Sequence, residues 1–162
     1  MWAGGDLTPE TETWQIGDDS LMELHHIAEL TLIGMNVDGS FLNSMKSPER
    51  LHTLHIRDCP RFNVSLGRFT HLRSVTIVRC PVGNETMREL ASMPSLRRLQ
   101  IDSGLVDDKG ARVLLDIPLT QIRSLQFAGN VSQELRSELE SHFLDSEYYG
   151  PYRFQIRRTE PF

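Results

Sequence analysis

A nine-residue pattern that recurs five times constrains the fold of this chain more than any other feature. The pattern starts at Ile27, Leu51, Leu72, Leu96 and Ile122, so the copies are separated by 24, 21, 24 and 26 residues. Its first, fourth and sixth positions are apolar in every copy. A period of about 20–50 residues is typical of repeat architectures, in which neighbouring units stack to bury one continuous core.

The spacing within each copy predicts a strand. The fourth and sixth positions are two residues apart and therefore point to the same face. We expect the following side chains to be buried in the core: Leu54, Ile56, Val75, Ile77, Leu99 and Ile101. Apolar spacing changes to a helical period over 19–26, 86–93 and 108–115. The segment from Phe62 to Phe69 lies in the shortest repeat, and we expect 3₁₀ or irregular structure there.

The copies resemble the leucine-rich-repeat family, whose pattern is L-x-x-L-x-L-x-x-N/C-x-L. The ninth position holds Met35, Cys59, Cys80, Gly104 and Asn130, and Val37, Val82 and Val106 occupy the apolar eleventh position. Cysteine at the ninth position resembles the ribonuclease-inhibitor-like subclass, from which Met35 and Gly104 depart. The resemblance implies an α/β solenoid, a short horseshoe of about five to six repeats, with a parallel sheet on the concave side and helices on the convex side.

The chain divides into three predicted parts. Residues 18–131 hold the repeats. Residues 132–162 form a C-terminal cap, with an amphipathic helix over 132–144 and a closing strand over 152–156. Residues 1–17 fit no repeat well, and we expect an incomplete repeat or a disordered segment there.

The charge is unevenly distributed. The whole chain carries a net charge of −5, yet residues 50–100 hold nine arginines against Asp58, Glu85 and Glu89. This basic middle is either an ordinary solvated surface or a binding face for an acidic partner. The negative total argues against a dedicated nucleic-acid-binding protein. No apolar run approaches the roughly 20 residues of a membrane span.

No catalytic or cofactor motif is visible. The sequence lacks a P-loop, a G-x-S-x-G turn and an H-E-x-x-H helix, so we predict neither an enzyme nor a cofactor. Adjacent residues on a helix point about 100° apart, so His25 and His26 cannot easily share a metal ion. His52 and His55 lie on different aspects of a strand. We expect surface histidines and no metal site.

The two cysteines share a column in adjacent repeats. Parallel inward side chains would leave the Cβ atoms of Cys59 and Cys80 about one strand spacing apart, whereas a disulfide needs about 3.8 Å. We therefore expect buried, free and unreactive thiols. No secretory signal is recognisable at the start of the sequence, and we expect a cytoplasmic protein whose three N-x-S/T triplets serve turns and caps.

The outward positions of the strands form the candidate binding surface, because rigid neighbouring strands would present these side chains in a fixed order. We expect Arg57 and Arg98 to lie close together on it. The candidate partner-binding residues are Thr31, His55, Arg57, Thr76, Val78, Arg79, Arg98, Gln100, Asp102 and Gln126.

A column of basic residues occupies the second position of the repeats. It contains His52, Arg73, Arg97 and Arg123. The column is either a generic solubility feature or a positive rim beside the concave face. Arginine outnumbers lysine by fifteen to two in the chain, which suits bidentate contacts to carboxylates but also fits a GC-rich genome.

We therefore expect a non-enzymatic module that binds a protein partner with an acidic patch, and neither nucleic acid nor membrane. The resemblance also leaves room for an enzyme inhibitor or adaptor subunit. A further alternative is a structural fragment of a larger repeat protein without its own ligand. An enzyme is the least favoured class, because no catalytic constellation is visible. The identity of the partner and the oligomeric state stay open.

Overall fold

A parallel β-sheet runs through the part of the chain that the computed structural model describes, which comprises residues 18–22, 24–144 and 154–158. Each strand pairs in parallel with the next strand in sequence, so the spatial order equals the chain order. The protein is thus α/β with an open parallel sheet, as predicted. The strands are β1 (Glu29–Ile33), β2 (Thr53–Arg57), β3 (Ser74–Val78), β4 (Arg98–Ser103), β5 (Ser124–Gly129) and β6 (Phe154–Arg158).

Helical segments and irregular stretches connect the strands. The α-helices are α1 (Asp18–Leu21), α2 (Asn84–Ala91), α3 (Asp108–Ala111) and α4 (Gln133–Leu144). Short 3₁₀ helices cover Ser40–Ser44, Pro48–Arg50 and Arg112–Asp116. None of the helices in the described ranges is long and apolar enough to cross a bilayer.

Several connections are less helical than the sequence predicts. The helix expected over 19–26 is confined to α1, and the helix expected over 108–115 changes to a 3₁₀ helix at Arg112. Gly110 is a poor helix former, and Pro118 stops further continuation. The stretch over 62–69 is irregular, which was one of the two expected outcomes.

The C-terminal elements are a helix and a strand, the two elements predicted there. In α4, the side chains of Leu135, Leu139 and Phe143 are buried, as the four-residue spacing requires. The last strand is β6, which begins and ends two residues later than predicted and pairs with β5. The first seventeen residues, for which an incomplete repeat or disorder is expected, lie outside the described residues.

The register stacks equivalent apolar positions into columns. Leu54 pairs with Val75 and Leu99, while Ile56 pairs with Ile77 and Ile101. All six of these predicted core residues are at most 2% exposed, so the prediction is confirmed. A second layer lies between the sheet and the connecting segments. It includes Val37, Val82, Val106, Phe41, Phe62 and Phe69, which are likewise buried.

Polar side chains tie successive connections together behind this core. The Asn84 amide donates to Asp107 Oδ1 at 2.7 Å, and the Asp107 N–H donates back to Asn84 Oδ1 at 3.1 Å. Asp107 also caps α3 by accepting from the Lys109 N–H. A Cβ at Gly110 would collide with Asn84, so glycine is required there. Asn84, which belongs to an N-x-T triplet, thus has a structural role.

An aspartate side chain also joins the next pair of connections. The Ser132 N–H donates to Asp108 Oδ1 at 2.7 Å, and Ser132 Oγ accepts from the Leu135 N–H at the start of α4. Hydrogen bonds from Ser132 hold the pKa of Asp108 below its usual range. The amide of Asn84 and the N–H of Lys109 lower the pKa of Asp107 in the same way.

Glu89 on α2 anchors the irregular segment that precedes β3. Its carboxylate accepts from the Ser65 hydroxyl at 2.5 Å and from the Leu66 N–H at 2.6 Å. Leu66 itself is fully buried. A segment without regular structure therefore obtains part of its order from a side chain more than twenty residues away in sequence.

We predict that Leu99→Ala destabilises the protein by about 2–5 kcal/mol, because it removes buried methyl groups and leaves a cavity in the middle of the sheet. The matched control is Leu105→Ala, which removes the same atoms from a side chain that is 61% exposed and should change stability by less than about 0.5 kcal/mol. Urea unfolding followed by circular dichroism measures both changes. Equal losses of stability would contradict the assigned core.

We also predict that stability falls as the pH drops below about 5. Asp107 and Asp108 have lowered pKa values in the folded state. The unfolded chain therefore binds protons at a higher pH than the folded chain, and protonation favours unfolding. Unfolding midpoints measured across this pH range test the prediction. Asp107→Asn keeps an oxygen acceptor without titrating, so its midpoint should depend less on pH than that of the wild type; an identical dependence would exclude Asp107 as a contributor.

Candidate functional site

One face of the sheet is covered by the connecting segments, and the other carries outward-pointing side chains that form the open sheet face. A central row of polar residues crosses this face, one from each strand, because the register pairs them in succession. All members of the row are exposed or half-buried. The row consists of Thr31, His55, Thr76, Gln100, Gln126 and Gln155.

The central row lines two shallow depressions. A groove of about 410 Å³ extends over β1 to β5 and includes His55, Thr76, Gln100 and Gln126. A smaller hollow of about 120 Å³ lies towards β6 and includes Gln155. Three glutamines are therefore adjacent on β4, β5 and β6, and each amide can both donate and accept hydrogen bonds. The surface suits contacts with polar groups of another molecule.

Sequence reasoning brought five of these six residues into the candidate set and missed Gln155. The alternation Phe154-Gln155-Ile156 predicts a strand, but it does not by itself extend the central row to Gln155. The predicted set also lacks Ile33. Its side chain is 63% exposed on the edge strand β1, beside Arg57 in the register. An apolar residue at an outward position is the signal that could have identified it.

The remaining candidates lie at different ends of the strands. Arg57, Val78 and Asp102 pair in a second row near the carboxyl ends of β2, β3 and β4. Arg98 begins β4 and pairs with Ser74 at the amino ends. Since four residues and two strands separate Arg57 from Arg98, their Cα atoms are roughly 16 Å apart. The expectation that these two arginines lie close together is wrong.

Val78 is also corrected by the structure. It belongs to an outward row, as predicted, but its side chain is only 5% exposed. It can therefore offer little contact surface to a partner. Its neighbours in the row are more accessible: the longer Arg57 is exposed, and Asp102 is half-buried. The alternation of strand side chains correctly gave the direction of Val78 but not its burial, which depends on the residues beside it.

Arg79 follows β3 and is already engaged within the chain. Its guanidinium donates from Nε to Asp58 Oδ1 at 2.5 Å and from Nη2 to Asp58 Oδ2 at 2.6 Å. These hydrogen bonds hold the pKa of the Asp58 carboxyl below its usual range and raise that of Arg79. A partner would contact a paired guanidinium here.

The Asp58–Arg79 pair stands where the backbone turns away from the sheet. Asp58 has φ = 54° and Arg79 has φ = 52°, values that are costly for residues other than glycine. Gly34 occupies the equivalent place after β1, with φ = 66°. The Asp58 N–H still donates to Val78 O, and the Arg79 N–H donates to Asp102 O. These bonds and the ion pair keep both residues in the left-handed conformation.

Within the described residues, the histidines do not lie together as a metal site. His26, His55 and His71 are exposed, while His25, His52 and His142 are half-buried. Across residues 18–22, 24–144 and 154–158, the structure places no three His, Cys, Asp or Glu side chains so that they could hold a metal ion.

Cys59 and Cys80 are free and buried, as predicted, with 0% and 4% exposure. Each thiol donates to the carbonyl two residues earlier, Cys59 to Arg57 at 3.3 Å and Cys80 to Val78 at 3.4 Å. Burial raises the pKa of the Cys80 thiol to about 11. A thiol in this state is a packing element and a poor nucleophile.

Neither a scan against protein-family models nor a search of curated proteins finds a match to this chain.

We predict that both thiols resist labelling in the folded protein. With a pKa of about 11 for Cys80, only about one thiol in a thousand is ionised at pH 8, and access is blocked as well. An aromatic disulfide reagent should react slowly with the native protein and fully after unfolding in guanidinium chloride. Labelling of either cysteine at the rate of a free thiol before unfolding would contradict the buried arrangement.

Proposed function

We propose that this chain is a leucine-rich-repeat solenoid that binds a protein partner through the open sheet face, without catalysing a reaction. One observation carries the proposal: the register places every polar member of the central row beside the next, while the neighbouring apolar positions are buried. The result is a continuous, preorganised polar surface across the sheet. Such a surface can be recognised with little loss of side-chain freedom.

The repeat assignment is supported by two features. Strands that follow one another in sequence are neighbours in the sheet, and their repeat positions pair without a shift. The buried Val37, Val82 and Val106 also correspond to the apolar eleventh position of the family pattern. Stacked units of this kind present their strands side by side, and binding then spreads over several strands.

The state of the two thiols supports a proposal about the cellular compartment. Cys59 and Cys80 are both free, and neither is positioned as a surface redox group. We propose a reducing compartment, the cytoplasm, where unpaired cysteines persist.

The test is affinity capture from an extract of the source cells, with identification by mass spectrometry. The face variant combines His55→Glu with Gln100→Glu, which places two carboxylates in the central row. The control combines Asn43→Glu with Gln133→Glu, two exposed positions on connecting segments. Both variants lower the net charge by two, and circular dichroism verifies that each is folded.

We predict that the face variant captures a specific partner at least about tenfold less strongly, equivalent to about 1.4 kcal/mol, whereas the control resembles the wild type. The reason is that hot-spot residues at the centre of an interface tolerate a buried unpaired charge poorly. Loss of the partner by the control, with retention by the face variant, would place the interface on the connecting segments and overturn the proposal.

A further inference from the structure

Four arginines converge at the amino ends of the strands, where they line a groove of about 620 Å³. Arg73, Arg97 and Arg123 immediately precede β3, β4 and β5, and Arg98 begins β4. His52 and Glu29 line the same groove. We call these arginines and the space between them the arginine groove.

The backbone fixes the spacing of this groove. The Arg73 N–H donates to His52 O at 2.8 Å, the Arg97 N–H to Arg73 O at 2.9 Å, and the Arg123 N–H to Arg97 O at 2.7 Å. This series of hydrogen bonds continues the sheet by one residue beyond the strands. It places one arginine on each of three neighbouring strands, at steps of about 4.8 Å.

The positive charge of the groove is not neutralised within the part of the chain that the structure describes. The ion pairs found there use other arginines, at positions 61, 79, 88 and 112. Arg97 Nη1 donates to the carbonyls of Pro94 and Leu96, which hold the side chain in place without cancelling its charge. Among the described residues that line the groove, Glu29 is the only carboxylate, and it is not part of the ion pairs found there.

The arginines repel one another, an effect that solvent and salt reduce at the exposed side chains of Arg73, Arg98 and Arg123. The chain as a whole carries a net charge of −5. General solubility therefore does not require a positive cluster here. Anionic groups bound in the groove would relieve the repulsion and accept the planar, bidentate hydrogen bonds that guanidinium groups favour.

The spacing indicates the form of the anion. The Cα atoms of Arg73, Arg97 and Arg123 follow one another along a row of about 10 Å, which suits a ligand with several anionic groups in line better than a lone phosphate. Alternate side chains of an extended peptide are about 6.6 Å apart, so two carboxylates can span the row. Nucleic acid fits less well, because its bases need aromatic stacking platforms, and no Phe, Tyr or Trp is among the described residues that line this groove.

We propose that the arginine groove binds an extended acidic segment of a protein partner, through Asp or Glu side chains at alternate positions. The inference rests on the proposed function and deepens it. The arginine groove adjoins the open sheet face at Arg98. The same residue also lines the second groove, which follows the central row. An acidic segment held at the amino ends of the strands fixes the orientation in which the rest of the partner crosses the face.

The experiment measures the binding of a fluorescent peptide of about ten residues that alternates Glu and Gly, by anisotropy with the full chain at low salt. The groove variant combines Arg73→Gln with Arg123→Gln. The control variant combines Arg88→Gln with Arg112→Gln, which removes the same charge from exposed residues that pair with Glu85 and Glu138. Arg97 is left intact because its hydrogen bonds support the local backbone.

We predict that the groove variant loses at least about tenfold in affinity, that the control stays within about twofold, and that salt weakens binding to the wild type. The charge-reversed pair Arg73→Glu with Arg123→Glu should lose the acidic peptide and gain a Lys-Gly peptide. Because a misfolded protein would not acquire this new preference, the gain separates a lost contact from a lost fold.

Three results would overturn the inference. The first is an equal loss of peptide affinity in the groove and control variants. The second is that the wild type does not bind the acidic peptide. The third is that a phosphoserine peptide or a single-stranded oligonucleotide binds the arginine groove more tightly than the acidic peptide does. Partner capture by the wild type, the face variant and the groove variant distinguishes the two proposals. If the face variant loses the partner while the groove variant retains it, the proposed function stands and the role of the groove falls; if capture depends on neither, the proposed function fails as well.

Discussion

The structure depends on in-register parallel pairing of strands whose inward side chains are apolar. Strands β1 to β5 each bury at least two residues, and the columns from Leu54 to Leu99 and from Ile56 to Ile101 are almost completely inaccessible. A single strand and its connection could not bury these groups, because each unit completes its core only by stacking on a neighbouring unit. Register is therefore fixed by burial, since a shift of one residue would expose an entire column.

The same pairing determines the opposite surface. When inward positions are aligned, the outward positions are aligned as well, and the central row and the arginine groove follow from the same hydrogen-bonded register. One array contains neutral polar groups and the other guanidiniums. Since backbone hydrogen bonds set the spacing, the relative positions of these groups are largely established before a partner binds, which reduces the entropic cost of recognition.

The connections are held by specific polar contacts more than by helix formation. Asn84 with Asp107, Asp108 with Ser132, and Glu89 with the segment at Ser65 each join neighbouring connections across more than twenty residues of sequence. These contacts explain how short helices and irregular stretches remain ordered over the core. The contacts of Asp107 and Asp108 also make acid destabilising, because they lower the pKa values of these two carboxyls in the folded state.

The strands, the inward columns and the free, buried cysteines can be predicted from the residue order. The reason is that two spacings are visible there: a period of two residues within a strand and a repeat of 21–26 residues between strands. The burial of Val78, the pairing of Arg79 with Asp58 and the distance between Arg57 and Arg98 emerge only in the packed structure. These features depend on contacts between residues from different strands and connections. The sequence pattern records which way a side chain points, but the neighbours that cover it or neutralise its charge are set only when the strands pack together.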